Sequence, residues 1–201
     1  MTFNIYSLKY HVLKKINYFI FKNFFKRMGK NVNIIAPLKI QGFKNIILED
    51  NVVIQYKTWL CAKPINLDSD CILHIGKGTN IGHFNHIYAT QKILIGDDVL
   101  TADKVYISDN LHQYQNPFIP IIKQEILQIS PVEIGDGTWI GENAVILGAK
   151  IGKNCVVGAN SFVNKDIPNY SVAVGTPANV IKRFDVESKA WRKTNKNGDF
   201  L

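Results

Sequence analysis

Cysteine is scarce in this sequence: its 201 residues hold three, Cys61, Cys71 and Cys155. They match no metal-ligand spacing. An odd, scattered set without a secretory leader fits reduced thiols and a cytoplasmic location rather than a disulfide framework. Long apolar runs are also missing: no stretch approaches about 18 residues, so no transmembrane helix is expected. The opening MTFNIYSLKYHVLKK places its charges after the apolar positions and offers no small-residue cleavage site, so export is not expected either. Acid is absent from residues 1 to 48, which carry nine lysines and arginines; the formal net charge of +8 therefore leaves the other 153 residues at −1. A nucleic-acid binder would hold its positive field on the folded body, so no nucleic-acid partner is expected. Hydrophobic residues are not in deficit, and at 46% they exclude a disordered chain.

Three regions follow from the pattern along the chain. Residues 1 to 30 form a basic N-terminal segment. Within it Val12, Leu13, Ile16, Phe19, Ile20, Phe24 and Met28 recur at helical spacing, while most lysines lie elsewhere. This predicts an amphipathic helix over residues 6 to 28, ended by Gly29. Such a helix can cover the open end of the body. It can also lie in a membrane interface, with lysines toward anionic headgroups, and so bring the protein to the inner face of the membrane by peripheral contact.

From residue 31 to 184 the period changes to six. Leu48, Ile54 and Leu60 form one set, Ile75, Ile81 and Ile87 a second, and Ile95, Thr101 and Ile107 a third. Ile134, Ile140 and Ile146, then Ile151, Val157 and Val163, complete the series, and glycine follows directly at seven of these positions, from Gly76 to Gly158. Neither a helix (period 3.6) nor a flat strand (period 2) repeats at six. A coil with three flat faces does. Each hexad supplies one face, its aliphatic residue enters a narrow prism, and successive turns stack at about 4.8 Å. The glycines are expected to turn the corners by adopting positive φ. No single coil buries its own aliphatic residues, so stability comes from stacking. The predicted class is thus all-β, a parallel β-helix of hexapeptide repeats with an N-terminal helix.

The repeat lapses between Ile107 and Ile134, which predicts an excursion loop over residues 108 to 131, long enough to carry function. The step from Ile146 to Ile151 is one residue short and predicts a tight corner at Gly148; the step from Ile87 to Ile95 is two too long and predicts a bulged one. Residues 185 to 201 read as a polar C-terminal tail, with Trp191 as its one candidate anchor.

The segments IGDDVLTADKVYISDNLHQY (95 to 114), VEIGDGTWIGENAVILGAKIGKNCVVGANSFVNKDIP (132 to 168) and YSVAVGTPANVIKRF (170 to 184) resemble the hexapeptide-repeat acetyltransferases. The likeness is to the sugar O-acetyltransferases, including those of surface-polysaccharide and lipopolysaccharide assembly. It spans residues 40 to 184 and implies a left-handed coil, acetyl-coenzyme A as acyl donor, and a homotrimer with its sites between neighbouring prisms. It places the catalytic histidine at His112 and the coenzyme A groove on Trp139, Glu142, Ala159, Asn164, Lys165 and Lys182. Two positions depart from the family pattern. Asn179 stands where an arginine is frequent, and Gly82 stands where maltose-type enzymes carry an acceptor-binding asparagine. Asn85, three residues on, is the nearest substitute. That departure directs the acceptor toward a glycan rather than a small free sugar.

The residues themselves support this chemistry. A sugar hydroxyl attacks poorly until a base takes its proton, and imidazole, with a free pKa of about 6.5, is a ready acceptor. His112 fits that role, with Asp109 as the nearest carboxylate to hold its second ring nitrogen and Tyr114 able to stack on a sugar ring. A thioester already carries a good leaving group, so no Ser or Cys nucleophile is required. Backbone N–H groups at the Gly141 corner are candidates for the oxyanion, and Lys165, Lys182 and Arg183 for the coenzyme's phosphates. His74, His83 and His86 lack a Cys or acid at ligand spacing, and no metal is expected. Two alternatives stand beside the sugar reading. One is acyl transfer to an amino sugar or to serine, and for an amine acceptor dependence on His112 would be weaker; the other is a non-catalytic scaffold, which would need no such histidine.

Overall fold

The computed structural model describes residues 19–66 and 70–201. Each hexad becomes a short strand, and the chain visits three parallel sheets in rotation. Ile46–Leu48, Val53–Ile54 and Trp59–Ala62 make one turn, and Ile72–Ile75, Asn80–Ile81 and His86–Ala89 make the next. Lys92–Ile95, Leu100–Thr101 and Tyr106–Ser108 follow, then Val132–Ile134, Trp139–Ile140 and Val145–Leu147, then Lys150–Ile151, Val156–Val157 and Phe162–Val163. A shorter turn, Arg27–Met28, Asn33–Ile34 and Lys39–Gln41, precedes them. We name the faces first, second and third in that order. The architecture is a left-handed parallel β-helix.

The fifteen hexad positions behave alike: every one is at most 3% exposed. On the first face Leu48, Ile75, Ile95, Ile134 and Ile151 lie in direct register. Leu60, Ile87, Ile107, Ile146 and Val163 do so on the third. Each buried Ile or Leu contributes about 1.5–3 kcal/mol relative to exposure. Thr101, the one polar member, donates no charge to this core; its hydroxyl oxygen accepts from Gly82 N–H (2.9 Å) and Asn85 Nδ2 (2.7 Å).

The corners correct the expectation for glycine. Positive φ falls three residues after the hexad aliphatic, at Asn51, Lys57, Gly78, Phe84, Asp98, Lys104, Gly137, Asn143, Asn154 and Asn160. The glycines directly after the aliphatics serve close approach instead. A Cβ on Gly76 would lie 2.4 Å from the backbone of Gly96, and one on Gly141 would lie 2.6 Å from the Ala159 nitrogen. Corner N–H groups are capped by carboxylates of the following turn, as at Lys77 (Asp97 Oδ1, 2.7 Å) and His83 (Asp103 Oδ1, 2.8 Å).

Both irregular steps appear as expected. Gly148 takes φ +54° at the short corner. The long step lies at Thr90 to Lys92 and is braced by Asp109. The excursion is a two-stranded antiparallel ribbon, Asn110–His112 against Ile126–Gln128, that leaves the edge between the third and first faces.

The N-terminal end differs from expectation. Most of the helix predicted over residues 6 to 28 lies outside the described residues. In the described part, helix persists only over residues 19–21, and Arg27–Met28 is a strand paired to Ile47 and Leu48. Gly29 therefore does not cap a helix; its N–H donates to Leu48 O. Burial decided this, because Phe25 and Met28 enter the core and Phe25 packs edge-on to Phe43 at 5.0 Å. The polar tail is ordered. Ser171–Gly175 extends the second face, Ala178–Asp185 returns antiparallel, and Ala190–Lys193 pairs with it, with Trp191 edge-on to Phe184 at 5.7 Å.

Candidate active site

His112 ends the first ribbon strand, opposite Ile126, with its side chain exposed. Among the described residues no group hydrogen-bonds its ring. Asp109 does not hold it. The Asp109 carboxylate is 0% exposed and accepts from Thr90 N (2.7 Å), Thr90 Oγ1 (2.9 Å), Gln91 N and Lys92 N (both 2.8 Å) and Asn110 Nδ2 (3.1 Å). A carboxylate encircled by five donors cannot reach outward, so its part in the site is to fix the stem from which the ribbon departs. Asn85 is likewise withdrawn from any acceptor. It is buried, its amide donating to Gly82 O, Thr101 Oγ1 and Ala102 O and its oxygen accepting from Val105 N. Tyr114 stands exposed on the loop beyond the ribbon, free to meet a ligand.

The coenzyme A candidates divide among four places. Gly141, Glu142 and Ala159 lie on the edge between the second and third faces. Trp139 and Lys182 share one outward column of the second face through Val156 and Val172. Asn164 and Lys165 turn the edge between the third and first faces, the same edge that carries His112 two turns earlier. Arg183 sits across the second face from Ala159, with its Nε donating to Asn169 O, and lines a hollow of about 900 Å³ on the first face that contains no residue of the excursion. One chain thus keeps these groups apart.

The oxyanion expectation needs correction at one atom. The Gly141 N–H donates to Val157 O at 2.8 Å. Among the described residues the N–H groups of Glu142 and Ala159, on the same edge, have no acceptor. Glu142 also pairs with Lys104 at 3.2 Å.

The other titratable groups are accounted for. His74 meets Glu49 at 2.8 Å and His83 meets Asp103 at 3.0 Å. Burial by itself would raise the Asp103 carboxyl, but the His83 backbone N–H, the His83 ring and Lys104 together outweigh it and hold that carboxyl below the usual range. His86 stacks on Trp59 at 4.1 Å, and burial pushes its pKa down. Burial pushes the Cys71 thiol up to about 12 and raises Cys61 and Cys155, so none is a ready nucleophile. Among the described residues no three His, Cys, Asp or Glu side chains converge as a metal set.

One feature of the third face escaped sequence reading. Lys39, Trp59, His86 and Tyr106 form a single outward column, with Lys39 Nζ 5.3 Å over the Trp59 ring. The signal was present, since each ring precedes a hexad aliphatic by one residue and must point outward.

Residues 131–165 match the family described as the hexapeptide repeat of succinyl-transferase. The chain is 36% identical over 129 residues to WbbJ of Escherichia coli (strain K12), provisionally named a lipopolysaccharide biosynthesis O-acetyl transferase, covering 61% of this chain and 66% of that one. It is 30% identical over 167 residues to the galactoside O-acetyltransferase of Escherichia coli (strain K12), covering 83% and 80%. The crystal structure of a hexapeptide-repeat acetyltransferase of Vibrio cholerae O1 biovar eltor, complexed with acetyl coenzyme A, superposes with a TM-score of 0.60 at 25% identity, over 85% of this chain and 78% of that one. The chain spans just under two thirds of WbbJ, so the activities of these relatives are not transferred whole. With the coil, its closely packed glycines and the excursion in place, the chain belongs to the hexapeptide-repeat acetyltransferase family.

Proposed function

We propose that this protein transfers an acetyl group from acetyl-coenzyme A to a sugar hydroxyl of a glycan, with His112 as base, and that it does so as a homotrimer. The observation that carries the reading is the placement of His112. A stem braced at Asp109 presents an exposed imidazole at the tip of a ribbon strand, on the edge that also bears Asn164 and Lys165. The groups expected to line the pantetheine arm, at Glu142 and Ala159, occupy the other edge of the third face. A neighbouring prism brings its own such edge to this one, which completes a groove that no single chain forms.

The chemistry then balances with protein groups alone. One ring nitrogen of His112 takes the hydroxyl proton as the oxygen attacks the thioester carbonyl. The resulting oxyanion meets the unpaired N–H of Ala159 or Glu142. Collapse expels the coenzyme A thiolate, which recovers the proton from the imidazolium, leaving an O-acetyl sugar and free coenzyme A. Lys165 and Lys182 serve the nucleotide phosphates, while Arg183, across the second face from Ala159, lies off this groove; Trp139 packs along the groove, and Tyr114 stacks on the acceptor. The N-terminal segment supports a membrane-apposed setting, because Phe19, Ile20 and Phe24 are exposed beside Lys22 and Lys26. Among the described residues no helix is long and apolar enough to cross a membrane.

The test is thiol release from acetyl-coenzyme A with glycan fragments and simple sugars as acceptors, alongside sedimentation of the protein. Transfer by a trimer, abolished in His112→Ala with coenzyme A binding intact, is the expected outcome. A monomer, or a His112→Ala protein with full rate, would overturn the reading.

A further inference from the structure

A second cleft, of about 680 Å³, opens on the N-terminal side of the ribbon. Its floor is Tyr88 and Thr90 on the edge between the third and first faces, one wall is residues 63–66, and the other is residues 125–128. That second wall contains the strand paired to His112. Ile126 stands directly opposite His112 in an antiparallel register, so the two side chains share a face of the ribbon with Cβ atoms about 5 Å apart. The cleft mouth is therefore within one side chain of the proposed base. Asn164 and Lys165, on the donor side, lie on the same edge two turns beyond His112, in the opposite direction. Donor and cleft flank the imidazole from opposite ends of one edge.

The lining says what would fit. Cation and anion are balanced, with Lys63 on one lip and Glu125 on the other, so there is no cationic cluster of the kind a pyrophosphate needs. Ile65, Ile126 and Leu127 offer apolar surface to the C–H faces of a sugar ring. Among the described residues the Tyr88 hydroxyl has no hydrogen-bond partner. Burial raises its pKa, with Cys61, Tyr106, Asp109 and Cys71 adding to the effect, so it remains a neutral donor. Gln128 gives its Nε2 to Thr90 O at 3.1 Å, which aims its oxygen elsewhere. The volume falls in the range of pockets for small organic ligands, about 300–1,000 Å³, and exceeds what one hydroxyl needs.

We propose that this cleft is a glycan subsite, holding the uncharged sugar unit next to the one that is acetylated. The acceptor is then an oligosaccharide or polysaccharide segment, not a nucleotide-activated monosaccharide. This rests on the transferase reading and adds to it a specificity element within a single chain.

The experiment compares methyl hexosides, the matched trisaccharides and a nucleotide-linked hexose with the full-length protein, by saturation-transfer NMR without acetyl-coenzyme A and by transfer kinetics with it. Tyr88→Phe keeps the ring and the fold while removing the donor; Ile65→Trp fills the cleft. Binding of a trisaccharide with Tyr88 and Ile126 protons in contact is expected. So is a rise of about fivefold in trisaccharide KM for Tyr88→Phe, with kcat and the KM for methyl hexoside unchanged. Ile65→Trp should abolish the trisaccharide's advantage. Equal KM values in wild type and both variants, failure of every trisaccharide to bind, or preference for the nucleotide-linked hexose would each overturn the subsite. Loss of transfer to all acceptors alike in His112→Ala tests only the transferase reading, so the two failures are separable.

Discussion

Replacing Asp109 by alanine separates two roles for this residue. Its carboxylate accepts three backbone N–H groups, from Thr90, Gln91 and Lys92, at 2.7–2.8 Å, together with the Thr90 hydroxyl and the Asn110 amide. A buried donor left without its partner costs about 1–3 kcal/mol. Thr90 is buried while Gln91 and Lys92 are half-buried, so water recovers part of the loss at two of the three. The expected net destabilisation is about 3 kcal/mol. For a chain of this size that lowers the unfolding midpoint by roughly 6–12 °C. Calorimetry and urea unfolding at one fixed protein concentration measure it, since the proposed trimer would add a concentration-dependent term. The ribbon should also loosen, and protection of the Leu111 and Gln113 amides, which sit at its hydrogen-bonded positions, should fall in hydrogen exchange. If Asp109 instead held the His112 ring, the variant would unfold like the wild type and lose only rate. That result would refute the geometry described above.

Further outcomes follow from the same structure. His112→Ala should lower kcat by about 10²- to 10⁴-fold while His83→Ala stays within tenfold, measured by coenzyme A release, because His83 is tied to a corner-capping carboxylate. Gly76→Ala should cost at least about 3 kcal/mol, as its Cβ would meet the Gly96 backbone at 2.4 Å. Gly78→Asn should cost no more than about 1 kcal/mol, since asparagine occupies the same left-handed corner at Asn51 and Asn154 and the only close atom is the end of the Asp98 side chain. Thermal denaturation distinguishes them. In native protein at pH 8 the thiols should resist a disulfide reagent, because a raised pKa keeps Cys71 protonated well beyond that pH; all three should react after unfolding.

The coil and its excursion were legible because they depend on spacing. A residue every sixth position can be buried only if the backbone turns through three faces, and the fifteen interior positions then follow without reference to any contact. The lapse after Ile107 marked the ribbon for the same reason. The ends were less legible. Residues 22–28 look helical by spacing, yet Phe25 and Met28 are drawn into the prism and the chain there pairs as a strand. Helical periodicity is a weak preference beside an open turn that needs covering.

Asp109, Asn85 and Gly141 show the limit most clearly. Their residue types suit a site, and their order along the chain places them near one. What distinguishes a ligand group from a structural one is which partners it has already met. Those partners, Thr90 to Lys92 for Asp109, Thr101 to Val105 for Asn85 and Val157 for Gly141, are brought in by stacking from other turns. Sequence alone determined the period, hence the prism, its core and the departure point of His112. Tertiary structure alone decided which polar atoms remain unpaired, because hydrogen bonds between turns join residues some 16 to 20 positions apart, and no local pattern records whether a donor has been used.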